Sequence, residues 1–374
     1  MTNQTIARKE LATGIRDHCR MRTLALACFA LLTCGSATAQ TAAPTSTALP
    51  AASSSITTLE TVSVTGVLPG PGLWKVSRNG HVLWVLGVIP SLPAHMQWRS
   101  AEVEQAIAGS QEVIESPKVK VKLDTNFFGK LFLLPTALGA RKNPDGKSLR
   151  DVLPAPMYAQ WLTLKQRYLG NDDGIERWRP IFAALKLYRE ALKKNGLRSS
   201  GEVEDTVEAL AKQHGITPVS SEYTLIVSEP RQAIRAFEAA GPDGVACFGR
   251  TLDSVEHDLP AMRARANAWS RGDIDTLRKL PDSRFRQVCT DAFVGSGFAH
   301  QLGISDLPMK VQAHWLSLAR GALKTYPQSF AVLPMHELMD ADGALAILKS
   351  QGYTVQSPEE LEQEPASAGS TSSP

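Results

Sequence analysis

Residues 72–87 read GLWKVSRNGHVLWVLG, two apolar segments on either side of Asn79-Gly80. A two-residue type I′ turn needs positive φ at both central positions, and Asn-Gly is the pair that adopts it most readily. The β-branched and aromatic residues around the turn favour extended strands. We therefore predict a β-hairpin at the start of the folded domain.

A helix and a third strand are predicted directly after the hairpin. Residues 101–108 carry Glu102 and Glu104 in the first turns, where carboxylates interact favourably with the helix dipole, and Gly109 follows. Residues 112–115, EVIE, have the composition of a strand. Strand–helix–strand over some thirty residues indicates a βαβ unit.

The middle of the chain is predicted to be helical and its end to be β–α–β. Helices are expected at 156–168, 180–195, 202–214, 230–240, 255–270, 274–280, 283–293 and 308–324, many starting near Pro or Asp. A short strand is expected at 217–222, and the end should form strand 329–333, helix 342–350 and strand 353–355. The fold class is α/β, with a central mixed sheet formed by the N- and C-terminal parts, flanked by helices, and a large helical middle region.

The first 39 residues have the pattern of a secretory signal peptide. Met21-Arg22 precedes an apolar segment over 23–33, and Ala37-Thr38-Ala39 is an A-x-A site that places cleavage before Gln40. Met21 is a candidate true start. A lipoprotein signal at Cys34 is disfavoured because Thr33 stands where a small Gly or Ala is usual. We expect an exported protein, periplasmic or secreted.

Composition divides the remainder into three parts. Residues 40–70 are rich in Thr, Ala, Ser and Pro and predict a disordered linker, residues 71–356 form the domain, and residues 357–374 predict a disordered acidic tail. No apolar run in the mature chain is long enough to span a membrane. Removing five basic and two acidic residues with the signal leaves 35 of each, so nucleic acid is not an expected partner.

Two cysteines, Cys247 and Cys289, remain after the signal peptide. In an exported chain we expect them to form a disulfide, with free buried thiols as the alternative. Residues 127–135, FFGKLFLLP, form an unusually apolar segment. We expect it to pack in the core or a cap, and contact with a membrane or a peptide is the alternative.

Several segments match one known family in order. They are GLWKV at 72–76, VLGVIP at 85–90, LP at 92–93, WRS at 98–100, VIE at 113–115, the helix and glutamate of 202–222, AWSRGD at 268–273 and GALAILKSQGYTV at 343–355. Through these the chain resembles the TraB/GumN family, which is related to the Tiki metalloproteases. The resemblance covers most of residues 72–356.

The resemblance implies a hydrolase that uses a divalent metal such as Mn, Co or Zn. Family members carry two G-x-x-H motifs at strand ends and a strand-ending glutamate, a donor set suited to activating water. Carried over to this chain, the family pattern makes His336 a candidate metal ligand. His95, five residues after Pro90, is a candidate substitute for the missing ligand. The candidate catalytic residues are Glu115, Glu222 and Arg320.

The chain departs from this pattern at its centre. The first motif reads Gly87-Val88-Ile89-Pro90, so proline replaces the histidine, and the second begins with Leu333 instead of glycine. The usual Arg-Asn pair reads Arg320-Gly321. We therefore expect a non-catalytic or weakly active relative without a cofactor, which binds a peptide or protein partner. The alternative is an active peptidase-like hydrolase rewired around His336.

Overall fold

The computed structural model describes residues 70–94, 96, 98, 101–199, 201–240, 244–280 and 285–363. The predicted signal peptide, the predicted linker up to residue 69, the predicted tail from residue 364 and His95 lie outside these ranges.

Nine strands and sixteen α-helices occur within these ranges. The strands are β1 Leu73–Arg78, β2 His81–Val88, β3 Ser91–Pro93, β4 Glu112–Ile114, β5 Lys118–Leu123, β6 Leu197–Ser199, β7 Glu222–Val227, β8 Gln328–Pro334 and β9 Thr354–Gln356. The first eight helices are α1 Ala101–Ala108, α2 Phe127–Gly139, α3 Leu149–Val152, α4 Ala155–Tyr168, α5 Pro180–Lys194, α6 Gly201–Gln213, α7 Pro230–Ala240 and α8 Val245–Asp253. The others are α9 Leu259–Trp269, α10 Ile274–Lys279, α11 Phe285–Val294, α12 Gly297–Gln301, α13 Leu307–Thr325, α14 Met335–Met339, α15 Ala344–Ser350 and α16 Pro358–Gln363. A π-helical turn, Ser254–Asp258, joins α8 to α9.

The predicted hairpin is confirmed. β1 and β2 pair antiparallel, with Arg78 opposite His81 at the turn. Asn79 and Gly80 have φ values of 52° and 82°, the left-handed conformation that this turn requires.

A five-stranded mixed sheet with the order β4-β8-β2-β1-β9 forms the centre of the domain, which confirms the predicted fold class. β4, β8 and β2 run parallel, whereas β1 is antiparallel to both β2 and β9. β8 lies between β2 and β4, so the two strands joined through α1 are not neighbours. The carboxyl ends of β2, β4 and β8 share one side of the sheet, which we call the carboxyl edge.

Two apolar clusters stabilise the domain. The larger surrounds the sheet and includes Leu86, Trp269 and Phe330, and the smaller joins α4, α5 and α8 through residues such as Trp161 and Phe248. The rings of Trp161 and Phe248 are 5.3 Å apart between centroids.

The predicted disulfide is present between Cys247 and Cys289, and it links α8 to α11. The two cysteines are separated by 42 positions in the chain. Among the described residues, no helix combines the length and the apolar character needed to cross a bilayer.

Several segments differ from the sequence-based expectation, β5 and α8 among them, because neither was predicted. The strand predicted at 217–222 is wrong, because Val219 makes only an isolated bridge to Ile114 and the strand itself, β7, begins at Glu222. α16 forms within the predicted tail, where Pro358 lies against Gly72.

Core packing of the apolar segment 127–135 is also wrong for most of its described side chains. The segment opens α2, and its Phe127 and Phe132 are 73% and 71% exposed. Leu133 is buried, so one side of the helix does reach the core.

Candidate functional site

The carboxyl edge brings together the ends of three parallel strands. Gly87 pairs with Leu333, and Ile114 pairs with Ala331. Ligands of open α/β sheets bind at this side, because the loops that follow the strands can diverge there. Pro90, Glu115 and His336 all follow these strand ends, so the edge is the candidate site that the sequence predicted.

Gly87 packs closely against two side chains of α14. A Cβ there would lie 2.4 Å from Leu338 Cδ1 and 2.8 Å from Met335 Cε, both on α14. The Gly87 carbonyl accepts a hydrogen bond of 2.6 Å from the buried Trp269 Nε1. The glycine thus lets α14 and Trp269 close over the end of β2.

The side chains of Pro90 and Leu333 supply no metal-ligand atom. Pro90 is exposed just after β2, and proline has no side-chain donor or acceptor. Leu333 is fully buried in the core cluster of the sheet.

His336 lies on α14 and is half exposed. Its Nε2 is 3.8 Å from Glu337 Oε1. The other carboxylate oxygen of Glu337 accepts hydrogen bonds from the Ala344 backbone N–H at 2.8 Å and from Gln312 Nε2 at 2.9 Å. Glu337 therefore ties α14 to the start of α15 and to α13.

Glu115 and Glu222 belong to a group of alternating charges formed by β5 and β7. Lys118 Nζ is 3.6 Å from Glu115 Oε2, and Lys120 Nζ is 2.9 Å from Glu222 Oε1. Glu222 also lies directly opposite Lys118 in the parallel ladder. The structure thus brings both glutamates near one another and pairs each with a lysine.

Arg320 lies at the other end of the sheet. Its Nη1 is 3.3 Å from Gln351 Oε1, and the Gln351 carbonyl accepts from Arg78 at the hairpin turn. The two ends of β2 are about 23 Å apart at the rise of an extended strand. The structure does not bring Arg320 together with His336 or Glu115.

The described residues do not form a ligand set for a divalent metal. Nowhere within them do three or more His, Cys, Asp or Glu side chains come close enough to hold one ion. Zn²⁺ needs three or four such donors in fixed geometry, and Glu115 and Glu222 already face lysines. His95, the predicted substitute ligand, lies outside the described residues.

A second concave region lies between α1 and the sheet. A cavity of about 220 Å³ is lined by Leu73, Trp84, Glu102, Gln105, Ala106 and Gln328. Burial, and then repulsion from Glu362 on α16, raises the pKa of Glu102. The lining carries one carboxyl and two amides, so hydrogen-bonding groups are present, but it shares none of the residues predicted for the site.

Sequence reasoning misses four residues at or next to the carboxyl edge. The sequence marks Trp269 only as part of a matching segment, although its N–H fixes the end of β2. Lys118 and Lys120 are not among the predicted site residues, although the alternation KVKVKL at 118–123 has the period of a strand and places the lysines on one face. Glu337 has no signal in the sequence, because its partners are 7 and 25 positions away.

The fold and the edge define an α/β protein in which a C-terminal strand is inserted beside an N-terminal hairpin. The model of the TraB/PrgY/gumN family matches residues 72–357 of this chain, and the chain belongs to that family. Comparisons with curated proteins and with solved structures give no match.

Proposed function

We propose that this protein is an exported, non-catalytic member of the TraB/PrgY/gumN family that binds a peptide or protein partner at the carboxyl edge. The observation that carries the proposal is the chemistry of that edge. An exposed Pro90 follows β2, a buried Leu333 lies near the end of β8, and Glu115 and Glu222 both face lysines.

β5 begins at Lys118, which contacts Glu115 at the carboxyl edge, and its geometry favours an extended peptide as the partner. β5 pairs with β7 on one side, and no strand in the described ranges pairs with its other side. Such an open edge presents backbone N–H and C=O groups to which a peptide strand can add. Lys118, Lys120 and Lys122 alternate along it and are exposed, so an acidic peptide would have complementary charge.

Metal binding is the first test. The full chain is loaded with Mn²⁺, Co²⁺ or Zn²⁺, desalted and analysed by elemental mass spectrometry, alongside His336→Ala. We expect no stoichiometric ion in either protein. The control is His257→Ala, because His257 is also exposed and lies 3.9 Å from a neighbouring glutamate.

About one ion per chain that is lost in His336→Ala but kept in His257→Ala would contradict the proposal. If the metal-loaded wild type also cleaved a fluorogenic peptide library, the alternative would be correct, namely an active hydrolase with a site rebuilt around His336.

Peptide binding is the second test, with an immobilised random peptide library as the probe. We expect enrichment of peptides rich in Asp and Glu, and loss of that enrichment in Lys120→Glu. Lys212→Glu is the matched control, because Lys212 and Lys120 are 63% and 60% exposed and each pairs with a glutamate. Equal selection by the two variants would refute binding at β5.

Export is tested by N-terminal sequencing of the protein recovered from a two-membrane bacterium. We expect the mature chain to begin at Gln40. The disulfide between Cys247 and Cys289 supports this proposal, since such bonds persist in oxidising compartments. A recovered chain that starts at Met1 or Met21 would contradict it.

A further inference from the structure

The outer side of α2 is an apolar surface. At about 100° per residue, Phe127, Leu131, Leu134 and Leu138 lie within about 60° of one another around the helix. They are 73%, 54%, 52% and 49% exposed, whereas Leu133 on the other side is buried. We call these four residues the α2 stripe. Phe132 is also exposed, at 71%, but lies about 100° further around the helix than Leu131.

This arrangement reverses the usual pattern of a surface helix. A helix on a soluble domain normally turns its large apolar residues inward and its charged residues outward. In α2, four of the largest side chains face outward with the i, i+4, i+7, i+11 spacing of a continuous stripe. Contiguous exposed apolar surfaces of this kind mark contact sites for proteins or membranes.

The charges around the stripe point to one kind of partner. Residues 118–142 contain six basic residues and one acidic residue, Asp124. Lys122 on β5 and Lys142 after α2 are exposed. A second copy of the chain docked stripe to stripe would bring these positive charges together, whereas an anionic lipid surface would compensate them.

The length of α2 also fits a membrane surface. Thirteen residues span about 20 Å as a helix, less than the ~30 Å hydrocarbon core, so the helix is too short to cross a bilayer. Apolar residues on one face with basic residues nearby are the features of a helix that lies in the interface. Asn126 caps the start of the helix by accepting the Gly129 N–H at 2.7 Å, so α2 is formed before any lipid contact.

We propose that the α2 stripe docks the protein on the surface of a membrane that contains anionic lipids. The helix lies parallel to the surface, with the stripe among the acyl chains near the headgroups and the basic residues beside the lipid phosphates. This surface shares Lys122 with the lysine row of β5 that the peptide proposal uses. The two tests change different residues, Leu131 and Leu138 here and Lys120 there, so either proposal can fail without the other.

The test is co-sedimentation of the full chain with vesicles of phosphatidylcholine alone or with phosphatidylglycerol as a third of the lipid. We expect binding to the anionic vesicles and about tenfold or greater loss of binding in the double variant Leu131→Asp/Leu138→Asp. The matched control is Leu162→Asp/Leu185→Asp, since these leucines are 44% and 41% exposed on α4 and α5. All variants keep the same N-terminal segment, so their difference reports α2.

Absence of vesicle binding, or equal binding by the two double variants, would overturn the proposal. Equal binding of the wild type to neutral and anionic vesicles would show that the basic residues do not contribute. That result would overturn the proposal that the membrane must contain anionic lipids. Sedimentation velocity measures whether the protein forms a dimer through the stripe. A wild-type dimer that Leu131→Asp/Leu138→Asp dissociates, without vesicle binding, would show that a second copy covers the stripe.

Discussion

The variant Gly87→Ala tests whether close packing against α14 explains the glycine at this position. The added methyl carbon would lie 2.4 Å from Leu338 Cδ1 and 2.8 Å from Met335 Cε, whereas carbon atoms pack best at about 3.5–4.0 Å. Leu338 and Met335 are 8% and 3% exposed, so their side chains must move within a packed core to make room. We expect a loss of about 1–3 kcal/mol in the free energy of unfolding.

A double-mutant cycle with Leu338→Ala measures the clash directly. In that background the nearest atom is gone and the new methyl partly fills the cavity, so Gly87→Ala should cost about 1 kcal/mol less than in the wild type. Urea unfolding followed by tryptophan fluorescence gives the four free energies.

Gly321→Ala is the control, since a Cβ at this position on α13 would meet no atom within 4 Å. It should stabilise the protein by about 1 kcal/mol through helix propensity alone. An equal cost of Gly87→Ala with and without Leu338 would refute the packing explanation and leave room for a role of this glycine in binding.

Three further predictions concern stability. Replacing Cys247 and Cys289 by alanine should lower the free energy of unfolding by about 4 kcal/mol on the chain-entropy model, and unchanged urea midpoints would contradict it. Lys165→Met should lower the free energy of unfolding by about 3 kcal/mol in the same assay. Lys165 and Glu176 are 9% and 15% exposed, and the Glu176 carboxylate would lose the ammonium group that lies 2.9 Å away. Adding Glu176→Gln should recover part of this loss of stability. Burial raises the pKa of Glu112 above its ordinary value of 4.5, so the folded state binds this proton more tightly than the unfolded state does. The free energy of unfolding therefore falls as the pH rises from 4.5 through the pKa of the folded state. Glu112→Gln should therefore be more stable than the wild type at pH 7 and equal to it well below pH 4.5, and a pH-independent difference would refute this.

Local signals in the sequence were sufficient for many, though not all, elements of the fold. Asn79-Gly80 fixes the hairpin through its own backbone preferences, and helices such as α5 follow from a proline start and a strong apolar period. The position of β8 between β2 and β4 could not be predicted in this way. It depends on pairing between residues more than 200 positions apart, such as Leu86 with Val332, for which no local signal exists.

The candidate site was predicted in part, for the same reason. Glu115 and His336 reach one edge because each follows a strand that the sequence identified. Arg320 was placed with them only by its position in a family pattern, and its helix in fact points it towards Gln351 at the far end. Exposure of the α2 stripe was only the alternative expectation, because apolar composition alone indicates burial, whereas exposure depends on what the rest of the chain leaves uncovered.

The insertion of β8 has a consequence for how the protein is made. The three parallel strands cannot complete their ladder until residues 328–334 have been synthesised. Leu86 and Val332 are 246 positions apart, which at about 5–20 residues per second corresponds to roughly 12–50 s of translation. Throughout that interval β2 presents an unpaired edge on the side that β8 later covers. The nascent chain thus stays accessible to chaperones, proteases and any translocation machinery until it is nearly finished.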